Sequence, residues 1–266
     1  MKGMRKIRRI AVVLFLLCAL TAAAAAVTEW KVLKGTHFIV YYVDGHAFAG
    51  KVLGRAERYY KKIASDLGYS RYDNFWQWEN RVRIYIYPTH EEFISATGIP
   101  REWAQGVAYY KEKKIVSYKW SKGFLDSLLP HEITHLIFRD FVGLGGRIPL
   151  WLDEGVAQWE EKSKKKQALK ISGGLIKSGR YIPIGELMRM DVRQVEDPKL
   201  ARDFYAQSVT LVGCLMEKYG SMKFTAFCRR LRDGESLEEA LSGAYKGLIS
   251  NVHGLEEKWI EYCLGG

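Results

Sequence analysis

Residues 131–135 read His-Glu-Ile-Thr-His. Side chains four apart on an α-helix differ by about 40° in direction, so His131 and His135 stand along one edge, their Cβ atoms about 5–6 Å apart. One zinc ion closes that span with nitrogen bonds of about 2.0–2.1 Å. Glu132 points to one side of that edge, placed to take a proton from a metal-activated water rather than to bind the metal. Leu129, Ile133, Leu136 and Ile137 occupy the opposite side and anchor the helix in the core. With Ser127 as N-cap, Pro130 falls in the first turn, where amide hydrogens have no partner in any case. Two histidines do not complete a catalytic zinc site, which uses three protein ligands and an open position. Residues 150–157 read Leu-Trp-Leu-Asp-Glu-Gly-Val-Ala, and Glu154 follows His135 after 18 intervening residues, on a second predicted helix. Gly143, Gly145, Gly146 and Pro149 let that helix fold back across the first. Gly155, lacking a side chain, permits the close approach of the two backbones.

Other segments must position these groups. Phe38–Val43 reads as a strand ending at an Asp44-Gly45 turn. Phe48, Val52, Ala56, Tyr59, Ile63 and Leu67 recur at helical spacing, and Gly68 stops that helix. Arg81–Tyr87 alternates charged and apolar residues as a half-buried strand, and Glu91–Thr97 is a short helix. Val107–Tyr110 and Ile115–Tyr118 form two arms of a hairpin with a charged tip at 111–114. A helix follows over Ser127–Phe141, then the glycine-rich loop Gly143–Gly146 and a helix from Leu150 to Lys162. Lys162–Lys170 reads as a solvated face or loop. Helices over 203–219, 222–232, 235–244 and 251–263 complete the chain. Strands and helices in the first half and helices in the second make an α+β layout, an antiparallel sheet leaning on a helical lobe.

His-Glu-x-x-His, 18 residues, then Glu within Trp-Leu-Asp-Glu-Gly resembles the gluzincin zinc metallopeptidases, and most closely the small bacterial peptidase MA-like domains. Supporting strings are Ile84–Pro88 followed by Glu91-Glu92-Phe93, Gly106-Val107-Ala108, and Tyr205-Ala206-Gln207-Ser208. The likeness runs from about Phe38 to Gly220. It implies a zincin-like metallopeptidase fold with an N-terminal mixed sheet and a C-terminal helical lobe. Residues 27–120 would form an α/β sublobe and residues 121–266 a helical sublobe carrying the zinc site, together one peptidase domain. It further implies one Zn2+ per chain on His131, His135 and Glu154, Glu132 as general base, and a peptide or protein substrate. Tyr205, opening a downstream helix, is the candidate donor to the oxyanion. The hairpin of Gly106–Tyr118 would offer the edge strand to which extended substrates add. Two features depart from the pattern. The Gly-Ala-Met-Glu-Asn motif by which aminopeptidases of this group hold a free amino terminus is absent. Gln158 stands where many relatives place an Asp that orients a histidine, leaving Asp153 or Glu160 to serve.

The first 26 residues are an address. A basic stretch over 1–9, an apolar run Ile10–Leu20 and five alanines, Ala22–Ala26, match a secretory signal with cleavage near Ala24-Ala25-Ala26. The alternative is an uncleaved anchor, since residues 10–27 are uncharged and just long enough to span a bilayer. Either way the body works outside the cytoplasm, secreted or in the cell envelope. The 266 residues carry a net charge of +11, and removing the five basic residues of this segment takes it to +6. Such a body needs no nucleic acid to explain its charge, and no nucleic-acid-binding module is present. Composition excludes a disordered or multi-span protein. Cys214, Cys228 and Cys263 are too few and too scattered for a disulfide framework, allow at most one bridge, and read as small buried hydrophobes. His37, His46, His90 and His253 lack ligand spacing and read as surface or structural, and Trp76 and Trp78 as core or rim packing. The rival function is a catalytically silent envelope protein that keeps the scaffold for structural or partner-binding roles. The intact Glu132 argues against it, because a purely structural metal site needs no base.

Overall fold

The computed structural model describes residues 29–69, 76–99, 105–119, 123–142 and 148–265. Residues 1–26, expected to be an export signal, and the glycine-rich stretch Gly143–Gly146 lie outside them. Strand β1 (Lys31–Lys34) pairs antiparallel with β2 (Phe38–Tyr42). Helix α1 (His46–Asp66) then crosses over to β3 (Val82–Tyr87), which lies parallel to β2. Helix α2 (His90–Thr97) leads to β4 (Gly106–Tyr109), which turns back through a hairpin into β5 (Lys114–Tyr118). The sheet order is β1-β2-β3-β5-β4, with β5 parallel to β3. The sheet is therefore mixed rather than antiparallel. Helix α1 carries the chain from β2 to β3 in the same direction, whereas the tight β1–β2 and β4–β5 connections and the longer one through α2 from β3 to β4 each reverse it.

Alternation along the strands divides the two faces. Phe38, Val40 and Tyr42 on β2, Val82, Ile84 and Ile86 on β3, and Ile115 on β5 are buried in the main core. Against this face lie Ala49, Val52, Ala56, Tyr60 and Ile63, the apolar stripe of α1. Tyr41 stacks on Tyr85 on the other face, and Trp30 meets Tyr85 and Tyr87 edge-on. Trp76 is core, 1% exposed, while Trp78 is 80% exposed. His37 is structural: buried, its Nδ1 lies 2.6 Å from Glu57 and its ring stacks on Tyr60.

The remaining helices are α3 (Leu129–Val142), α4 (Leu150–Trp159), α5 (Lys162–Lys177), α6 (Ile184–Leu187), α7 (Pro198–Gly213), α8 (Ser221–Arg232), α9 (Leu237–Ala244) and α10 (Val252–Leu264). The lysine-rich run after α4 is thus helix, not loop. Ser127 is not the cap of α3. The helical path starts at Gly123 with a wide π-type turn over Phe124–Leu128, closed by Leu128 N–H to the Gly123 carbonyl at 3.2 Å. That extra residue stands directly before Pro130, which has no N–H to give, so the turn spaces the ladder around the missing donor. Helix α7 starts at Pro198, five residues before the expected start. The Asp197 side chain accepts from Lys199 N–H at 2.8 Å and proline takes the first turn, a start signal in its own right. Cys214 and Cys228 are buried, Cys263 is half-buried, and all three are free thiols. Among the described residues no helix is long and apolar enough to cross a membrane.

Helix α4 packs most closely on α7. A β-carbon at position 155 would lie 2.6 Å from the Ser208 carbonyl oxygen and 2.8 Å from Val212 Cγ2. The glycine thus serves the α4–α7 contact, not the α3–α4 contact expected from the motif. Backbone cannot yield as a side-chain tip can, so Gly155→Ala should cost about 1–3 kcal/mol. Thermal unfolding should show a fall of roughly 2–4 °C for each kcal/mol. An unchanged midpoint would mean that the two helices do not touch at Ser208.

Candidate metal centre

The three ligand candidates come together. Helix α3 carries His131 and His135, and their Nε2 atoms are 3.1 Å apart. Glu154 on α4 brings one carboxylate oxygen to 3.9 Å from His131 Nε2 and the other to 3.9 Å from His135 Nε2. One ligand atom from each of the three lies within 4.8 Å of the others, and the two rings stand nearly perpendicular at 85°. Ligands at about 2.0–2.2 Å from a tetrahedral ion stand about 3.3–3.6 Å from one another, so these residues fit a metal with only small adjustments.

The outer nitrogens settle which way the rings face. Asp153 Oδ1 lies 3.0 Å from His135 Nδ1, and Glu161 Oε1 lies 3.0 Å from His131 Nδ1. A carboxylate accepts, so each Nδ1 carries the hydrogen and each Nε2 turns a lone pair toward the same point. Two lone pairs at that distance repel unless a positive centre stands between them. Burial would lower the pKa of His135, but the charges of Asp153, Glu154 and Glu132 prevail and push it up to about 9. The metal-free site thus attracts a proton, and a divalent cation answers the same field.

Each orienting carboxylate is itself held. Asp153 is 2% exposed and binds the Arg139 guanidinium; burial would raise its pKa, yet His135 and Arg139 hold it below the usual value. Glu161 is 4% exposed and accepts from the Ser127 hydroxyl. Burial raises its pKa too, and the bonds from His131 and Ser127 bring it down. Of the residues considered to replace an Asp at position 158, Asp153 takes the role. Glu160 does not, because it faces Lys62 of α1 at 2.6 Å. Gln158 lies in the wall of the cleft. Glu161 was missed, although 154, 158 and 161 share the i, i+4, i+7 spacing of one helical face, continued just past the end of α4.

The cleft over the centre is lined by His131, Glu132, Glu154, Gln158, Glu161 and Tyr205, with Gln105, Ser127, Leu128 and Lys164 at its borders. Glu132 is 9% exposed. Tyr205 reaches this cleft from two turns inside α7, not from the helix start expected of it. The hairpin arrives from the opposite direction. Gly106 sits so close to the turn before α3 that a β-carbon there would be 2.5 Å from Leu128 Cδ2. Tyr110, another residue missed in the sequence, lies 6.0 Å from the His135 ring, and the Arg139 guanidinium rests 3.9 Å above its face.

Partners that orient metal-binding imidazoles typically change metal affinity by about 10–100-fold. Glu161→Ala should weaken divalent-metal binding by that range in a chelator competition, whereas Glu160→Ala should leave it unchanged. Equal losses in both variants would mean that the effect is general destabilisation of the end of α4.

No curated protein matches the chain. The family model described as the Peptidase MA superfamily matches residues 71–265, a span that contains His131, Glu132, His135, Glu154 and Tyr205. Matched over more than half its length, the chain belongs to the peptidase MA superfamily.

Proposed function

We propose that this protein is a zinc-dependent metallopeptidase of gluzincin type, exported by its N-terminal signal and acting on peptides or proteins outside the cell or in its envelope. The observation that carries the reading is the convergence of two Nε2 lone pairs and one carboxylate beside Glu132, a second carboxylate that belongs to none of the orienting pairs. A zinc ion held by His131, His135 and Glu154 supplies Lewis acidity, polarising a carbonyl and lowering the pKa of a water.

The chain's own residues do the rest. Glu132 takes the proton of the attacking water and delivers it to the departing amine, one carboxylate acting first as base and then as acid. Tyr205 donates its hydroxyl to the oxygen on which negative charge develops. Strand β4 is an edge strand of the sheet and starts at the rim of the cleft, which supports a substrate lying alongside it in extended form. Asp153 and Glu161 keep the imidazoles in one tautomer and orientation through the cycle.

The purified protein should contain about one zinc per chain by elemental analysis, and Glu154→Ala should lose it. Glu132→Gln should keep the zinc and lose about 10²–10⁴-fold in peptide hydrolysis. Cleavage by Glu132→Gln at the parent rate would overturn the mechanism. Zinc-loaded protein that cleaves no peptide would favour the silent scaffold instead.

A further inference from the structure

The cleft continues past the metal centre into a second pocket between α5 and α7, and the two share Gln158, Lys164 and Tyr205. Gln158 is one turn beyond Glu154 on α4, so the pocket begins about 6 Å along the helix from the ligand carboxylate. An extended peptide advances about 3.3 Å per residue. The pocket therefore meets a substrate residue one or two positions from the bond over the metal centre.

Its chemistry differs from that of the centre. The buried Ala168 and Ala206 and the half-buried Ile171 form an apolar floor. Gln167, Lys164 and Arg202 are exposed at the rim, and no carboxylate is among the lining residues. The volume, about 180 Å³, has room for one medium-sized side chain. Arg202 is fixed by its neighbour: Nε and Nη2 both donate to Asp203 Oδ1, at 3.0 and 2.7 Å. The guanidinium keeps further N–H donors beyond that edge. Lys164 stands exposed where the two pockets meet, and its charge is among those that hold the Glu161 carboxylate below its usual pKa. The adjacent Lys165 behaves differently, its ammonium lying 3.3 Å from the Trp159 ring. The lysine run is thus not a uniform solvated face, since one of its members borders the active cleft.

Resting on the peptidase reading, we infer that this pocket selects substrates bearing a carboxylate one or two residues from the cleaved bond, held by Lys164 and Arg202 above an apolar floor that takes the methylene stem. That carboxylate is either an acidic side chain or the free carboxyl end of the peptide. The isosteric amide carries no charge and loses the charge-assisted hydrogen bonds.

The full-length, zinc-loaded protein is given a mixed peptide library, once with free and once with amidated carboxyl ends, and the cut sites are read by mass spectrometry. Glu should exceed Gln at the flanking position by about tenfold or more, the range for hydrogen bonds to charged groups. Lys164→Glu and Arg202→Glu, each checked for one zinc per chain, should bring that ratio to one or below and favour Lys or Arg there. Enrichment that survives amidation assigns the pocket to an acidic side chain; enrichment only with free ends assigns it to the chain terminus. Equal cutting of Glu and Gln peptides together with no preference for free over amidated carboxyl ends, or preferences unmoved by both reversals, overturns the pocket and leaves the peptidase reading standing. If the loaded protein cuts nothing, that reading falls and the pocket is judged by capture on zinc-loaded Glu132→Gln protein. Acid enrichment among the retained peptides, abolished by adding Lys164→Glu, keeps it, and its absence overturns it.

Discussion

Two imidazole nitrogens that turn their lone pairs on each other across 3.1 Å form an arrangement that only a positive centre relieves. Much of the surrounding structure can be understood as the means of enforcing it. The rings cannot escape by rotating, because Asp153 and Glu161 grip their outer nitrogens, and Arg139 and Ser127 grip those carboxylates in turn. Four carboxylates, Glu132, Asp153, Glu154 and Glu161, stand around the site against one guanidinium. A divalent ion brings that cluster close to neutrality, and without one it draws a proton onto His135. The site is preorganised for a cation by groups whose burial would be costly in any other arrangement.

Holding two helices in register to within a fraction of an ångström requires a rigid frame. Helix α4 obtains it from α7, where Gly155 lets the backbones meet at Ser208. Helix α3 obtains it from the core, through Leu129, Ile133, Leu136, Ile137 and Phe138. The wide turn ahead of Pro130 keeps the helical path continuous into Ser127, which braces Glu161. Arg139 adds a link to the sheet, because the guanidinium that fixes Asp153 also covers Tyr110 at the hairpin. The hairpin proposed to carry substrate and the histidine proposed to carry metal are thus joined through Tyr110, Arg139 and Asp153.

The parts of this design that were legible in the sequence are those specified by local spacing. The pair at 131 and 135 and the apolar stripes of α1 and α3 are periodic within one element, and periodicity survives without tertiary knowledge, while the glutamate at 154 was legible from its motif and its distance along the chain. The mixed sheet was not legible from alternation alone, since alternation reports which face is buried and says nothing of strand direction. Glu161 escaped because it lies past the helix that carries its ligand, where its partner is set by how α4 approaches α3. Tyr205 was expected at a helix start because the Asp197-Pro198 signal seven residues earlier went unread. Gly155 was read as a close-contact residue, which it is, but the partner helix came from the wrong part of the chain, since a missing side chain does not name its neighbour.

The same spacing logic explains why the lysine run looked featureless. The run Lys162–Lys166, four lysines and a serine, has no hydrophobic period of its own, so it reads as solvent-facing. Folded within the first turns of α5, Lys164, Lys165 and Lys166 fan around an axis, each successive residue turned by about 100°. One step separates Lys165, over the Trp159 ring, from Lys164, at the cleft. The field along the cleft therefore changes sign within about one turn of helix, from the carboxylates that suit a metal to the cations that suit an acid. A neutral or basic substrate residue in the second pocket would forgo that gradient. An acidic residue uses it twice, drawn to Lys164 and Arg202 and kept from the metal centre by the carboxylates around it.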